Sequence, residues 1–166
     1  MNSLLAGAVL AGAGATVIMD LWAVVARKVL QMPPPDYCLV GRWLGYMPEG
    51  RFRHASIAKA VPRQAECAIG WSFHYLVGIA YAFLLVLPSA GAWLLQPSLL
   101  PALLVGVGTL IMPWCIMQPA FGLGIAAAKT ADPRRARRRS LLSHVAYGVG
   151  LYLAALPVSR VLQALA

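Results

Sequence analysis

The chain has 166 residues, 60% of them hydrophobic and only 11% charged, with a mean hydropathy of +0.71. Soluble domains carry about 25% charged residues, so an ordinary water-soluble globule is excluded and the solvent to reason about is lipid. The net charge of +9 would suggest nucleic acid in a soluble protein, but its placement excludes that partner: seven of the 14 Lys and Arg lie between Arg27 and Arg63, six between Lys129 and Arg139, and only Arg160 elsewhere. Blocks of positive charge between long apolar runs are a topology signal.

About 20 apolar residues cross a bilayer core. The first predicted span is Ser3–Ala26, which carries one charge, Asp20. It has no basic leader and is longer than a signal-peptide core, so it reads as an anchor helix. It stops at Arg27-Lys28, and Met32-Pro33-Pro34-Pro35 bars continuation. A basic loop, 27–68, follows. There Asp36 is placed to cap a helix, and Leu39, Trp43 and Met47 share one stripe, which predicts an interfacial helix. The second span, 69–87, closes on Pro88-Ser89-Ala90-Gly91. The third, 98–128, contains Pro101, Pro113 and Pro119 and must tilt, kink or unwind. The polybasic loop 129–140 leads to the fourth span, 141–163.

Four spans place both basic loops on one side, whereas three or five would separate them or strand a polar loop in lipid. The expected fold is therefore all-α, a single four-helix transmembrane bundle. By the positive-inside rule its loops are cytoplasmic and both termini lie outside, in a bacterial-type inner membrane. Cys38 and Cys67 fall in the first basic loop and Cys115 in the third span, an odd set without CxxC spacing. The two loop cysteines are expected to be reduced thiols.

The halves resemble each other. Gly12-Ala13-Gly14 in span one matches Gly106-Val107-Gly108 in span three, and His74-Tyr75-Leu76-Val77-Gly78 matches His144-Val145-Ala146-Tyr147-Gly148. Each half reads as a Gly-x-Gly helix, a basic loop and a His-x-x-x-Gly helix, a parallel repeat about the membrane normal. Chance similarity between helices rich in small residues is the alternative.

An ionisable group within a span costs roughly 2.5–3.5 kcal/mol on insertion scales and requires a reason. Asp20 lies about 10 Å inside the basic end at 1.5 Å per residue, and His74 and His144 about 6–8 Å inside it. Gln118 is slightly deeper. These four form the candidate polar site. The readings open to it are a structural Asp–His pair, a proton relay or small-cation site, a metal site from Asp20, His74 and His144, and a bis-histidine haem site. No cofactor is singled out. The second loop offers Arg134, Arg135, Arg137, Arg138 and Arg139 to anionic headgroups or phosphate, beside their role in orientation. Three histidines cannot build the His boxes of membrane di-iron enzymes, and there is no G-x-S-x-G or P-loop, so no recognised catalytic motif is present.

Several stretches together resemble a family of small bacterial inner-membrane proteins, domain of unknown function 2938. They are Ala15-Thr16-Val17-Ile18-Met19-Asp20-Leu21-Trp22, Val40-Gly41-Arg42-Trp43-Leu44-Gly45, Gly50-Arg51-Phe52-Arg53-His54 and Met117-Gln118-Pro119-Ala120-Phe121-Gly122-Leu123-Gly124. The resemblance implies a four-span membrane protein without an assigned activity. It adds Arg42, Arg51, Arg53 and His54 to the headgroup candidates and supports Gln118. The working expectation is transport or sensing of a proton or small cation. A lipid-binding or scaffold protein is the alternative, a haem redox protein the third class, and a homodimer is an open assembly.

Overall fold

The computed structural model describes residues 2–164. Its elements are all helical: α1 (Asn2–Leu30), α2 (Tyr37–Tyr46), α3 (Glu66–Val86), α4 (Ala92–Leu95), α5 (Leu99–Gly108), α6 (Gln118–Ala120) and α7 (Pro133–Ala164). Four stretches are long and apolar enough to cross a membrane: Ser3–Leu30, Glu66–Val86, Leu99–Ala120 and Pro133–Ala164. Their outward faces are greasy. On α1, Leu10, Val17, Leu21 and Val24 are exposed while Ala8, Ala11, Ala15 and Thr16 are fully buried. This inverts the soluble pattern, as expected where lipid is as apolar as leucine and helices associate through small residues.

Around the bundle the order is α3, α1, α7, α5, and of the neighbouring pairs α3 and α5 touch least. The two halves pack alike. A Cβ on Gly12 would lie 2.7 Å from Ile79 Cα and 3.1 Å from Gly78 O; one on Gly106 would lie 2.7 Å from Gly148 Cα. The first glycine of each Gly-x-Gly thus seats against the glycine of its His-x-x-x-Gly partner.

The α1 helix ends where Gln31 turns left-handed (φ 50°) and the Met32 N–H reaches back to Ala26 O at 3.2 Å, before the prolines. Asp36 then caps α2, accepting from the Cys38 N–H at 2.9 Å. The expected interfacial helix forms, but it is docked on α3. Gly41 and Gly70 are backbone-to-backbone contacts, where a Cβ would collide with Glu66 O and Tyr37 O respectively. Val40, Trp43 and Tyr46 are buried against Ile57, Ala120 and Phe121. The expectation of two free thiols is overturned: Cys38 and Cys67 form a disulfide across this contact. Helix docking brings together cysteines 29 positions apart, and no local spacing could signal that.

Two boundaries also move. The third span is broken: α5 ends at Gly108, a π-helical turn runs Pro113–Met117, and the helix closes with α6 at Ala120. Pro113 and Pro119 withhold backbone N–H groups, and Gly122 and Gly124 adopt positive φ. Residues 121–128, expected within the span, fold beneath the first loop instead, where the His54 N–H donates to Ala120 O and the Ile57 N–H to Phe121 O. The second basic loop is largely helix. Asp132 accepts from the Arg135 N–H at 2.9 Å and Pro133 opens α7, an N-cap followed by proline at the first helical position.

Candidate functional site

The gap between α3 and α5 is a cavity of about 250 Å³ roofed by α2. Its walls are mostly apolar: Met19, Trp43, Phe73, Val77, Met112 and Ile116. His74, His144, Gln118 and Arg139 supply polar groups, with Tyr37 and Ser143 nearby.

Of the three ionisable groups expected to meet, two do. His74 Nε2 lies 3.0 Å from Asp20 Oδ1, and the Tyr75 O–H donates to Asp20 Oδ2 at 3.1 Å. The carboxylate therefore has a partner on each oxygen, which is what a charge inside a span requires. The His74 ring stacks on Tyr37 with centroids 3.9 Å apart, so the roof helix and the Asp–His pair are in contact. Burial, and then the charge of Asp20, push the Tyr37 hydroxyl well above the usual phenol range.

His144 stands apart. Its Nδ1 is 2.8 Å from Thr109 Oγ1 and 3.3 Å from Gly106 O, and it shares only the cavity with His74. Asp20, His74 and His144 do not form the three-ligand set considered from the sequence. Among the described residues no three His, Cys, Asp or Glu side chains are grouped to hold a metal ion. Gln118 is buried in the cavity wall, its Nε2 3.4 Å from Ser140 Oγ and its Oε1 without a partner.

The headgroup candidates divide. Arg42 is committed internally: Nε and Nη2 pair with both Glu66 oxygens at 2.8 and 2.7 Å, and Nη1 donates to the carbonyls of Ile57, Ala58 and Ala60. The Glu66 bond raises its pKa further above the usual value. Its expected headgroup role gives way to tying α2 to α3 and the loop. His54 is also internal, with both ring nitrogens closed off and its ring edge-on to Tyr46 at 4.8 Å. Burial, and then Arg51, lower its pKa. Arg135 and Arg139 bind the carbonyls of Gln31 (2.5 Å) and Pro33 (3.2 Å), and Arg137 that of Ala126 (2.8 Å). Arg51 lies over the Tyr46 ring at 5.3 Å with its side chain exposed. Arg53, Arg134 and Arg138 are exposed.

Sequence reasoning missed Tyr37, Tyr75, Thr109 and Glu66. Tyr75 had a usable signal, its place directly after His74. Tyr37 and Thr109 had none, because each reaches the site only through helix packing.

Fold and cavity together define a multi-span helical membrane protein with a polar pair at an apolar chamber. A family model described as "Protein of unknown function (DUF2938)" matches residues 9–158, and the chain belongs to that family. No curated protein and no solved structure matches it.

Proposed function

We propose that the protein resides in a bacterial inner membrane with its basic end in the cytoplasm, takes a small, largely apolar molecule into the α3–α5 cavity, and exchanges a proton there through Asp20 and His74. The observation that carries this is the carboxylate-backed histidine on the wall of an apolar chamber. With its Nε2 held by Asp20, His74 keeps its other ring nitrogen unpartnered beside the cavity, where it can accept a proton and pass it on. Burial in apolar surroundings strengthens that coupling. The unwound stretch after Gly108 supports the same reading, since irregular backbone at membrane depth is tolerated where it lines a cavity.

Proteoliposomes loaded with a pH-sensitive dye test the proton step. After an imposed pH jump the wild type should equilibrate several-fold faster than Asp20→Asn, with both folded by circular dichroism. Equal rates for the two proteins would overturn it.

Lipid-headgroup binding is a second reading, favoured by the exposed Arg53, Arg134 and Arg138 at the basic end. It is compatible with the first, because those arginines lie outside the cavity lining.

A further inference from the structure

Three side chains of the cavity present acceptors to it. His74 gives Nε2 to Asp20 Oδ1 at 3.0 Å. A carboxylate only accepts, so Nε2 carries the hydrogen and Nδ1 of the neutral ring keeps a bare lone pair. His144 reaches the same condition through its other nitrogen. The Thr109 O–H donates to Gly106 O at 2.6 Å, so Thr109 Oγ1 can only accept from His144 Nδ1, 2.8 Å away. Gly106 O, 3.3 Å from the same nitrogen, also accepts. These partners assign the hydrogen to Nδ1 and leave His144 Nε2 bare.

Neither His74 Nδ1 nor His144 Nε2 has a hydrogen-bond partner among the described residues, and both rings line the cavity. Gln118, 6% exposed, adds Oε1, buried and unpartnered in the same wall. Two imidazole nitrogens and one amide oxygen are therefore acceptors awaiting donors, beside the Arg139 guanidinium and the Tyr37, Tyr81 and Ser143 hydroxyls, in a chamber whose walls are otherwise mostly apolar. A ligand that covers these acceptors without donating to them removes them from solvent at a cost, so a site built this way rejects a ligand that cannot donate.

Resting on the reading of the cavity as a binding site, we propose that its ligand is an uncharged, largely apolar molecule bearing at least two O–H or N–H donors, such as an alkyl-substituted aromatic diol. One donor is met by His74 Nδ1 and another by His144 Nε2, with Gln118 Oε1 available to a third. Arg139 in the same lining disfavours a cation, and the mostly apolar walls make any charge costly to bury there. A soft metal ion also suits bare imidazole nitrogens, but no group of three His, Cys, Asp or Glu side chains stands there among the described residues.

The test compares 4-hexylresorcinol with its dimethyl ether, which keeps ring and chain but cannot donate. Binding is measured by calorimetry on the full chain in nanodiscs, with empty nanodiscs correcting for partition into lipid. The diol should bind at least about tenfold more tightly than the ether. His144→Phe and Gln118→Leu, each checked for an unchanged melting profile, should each shrink that ratio about threefold or more. Equal affinity of diol and ether overturns the donor-matching proposal while leaving the cavity a binding site. Saturable binding of neither probe overturns the cavity reading itself. A diol preference that survives both substitutions together overturns the assignment to these acceptors.

Discussion

His54 illustrates how far a side chain's surroundings can depart from what its neighbours in sequence suggest. It follows two arginines by position, at Arg51 and Arg53, yet its ring turns inward to Tyr46 and both nitrogens are shut away from solvent. Its backbone N–H is anchored to Ala120 O at 2.8 Å. Burial and the positive Arg51 both disfavour the imidazolium, so the folded pKa lies below the ordinary value. The unfolded chain then binds the proton first. Stability that is complete above the ordinary imidazole value of about 6.5 falls as the pH drops from there toward the lower folded value, and flattens below it. Melting of the detergent-solubilised protein between about pH 8 and 5 should show this acid-side loss, and His54→Phe should reduce its slope. An unchanged slope in the variant would assign the loss to other groups.

At the scale of elements, α2 is the part of the molecule whose role changes most between sequence and structure. Its capping residue and apolar stripe are readable, and both are satisfied. Three attachments far apart in sequence fasten it as a roof: the Gly41–Gly70 contact, the Arg42–Glu66 ion pair at 2.7 Å, and the Cys38–Cys67 disulfide. None has a local pattern, which is why a helix expected to float at the interface is docked on α3. The disulfide closes a loop of about 30 residues, which in the chain-entropy account is worth about 3.6 kcal/mol. Reduction should therefore lower the unfolding midpoint of the wild type and leave a Cys38→Ser/Cys67→Ser double variant unmoved. Cavity binding should persist in both, since the glycine contact and the ion pair still hold Tyr37 and Trp43 in place. If reduction abolished binding without unfolding the protein, the disulfide rather than the packing would be what closes the roof.

For the molecule as a whole, the bundle was legible because lipid makes severe demands on a sequence. Unbroken apolar runs, their lengths and the two basic blocks limit the chain to four crossings, and Gly12, Gly78, Gly106 and Gly148 mark the contacts that join them. The layer holding Asp20 and His74 was readable from helical rise, and their pairing follows from the cost of a lone charge in lipid. The break after Gly108 was foreseeable from its prolines, its position was not, and the separation of His144 from Asp20 depends on rotations about helix axes that composition does not encode.

One conflict at this scale leads to a prediction. The disulfide and the basic blocks lie at the same end of the molecule, but thiols are kept reduced in the cytosol, where positive loops are retained. Orientation is fixed by charge during insertion, whereas the cysteine pair responds to the compartment afterwards. The proposed cytoplasmic placement of the basic end draws on 13 of the 14 basic residues, and under it the cysteines face each other as a dithiol in the cell and close on oxidation. With Cys38, Cys67 and Cys115 replaced by serine, a reporter cysteine at Ser98 should react with a membrane-impermeant maleimide on intact spheroplasts. One at Ala131 should react only after permeabilisation. The reverse pattern would put the basic end in the oxidising compartment, make the disulfide constitutive, and direct the cavity's proton exchange toward the outer face.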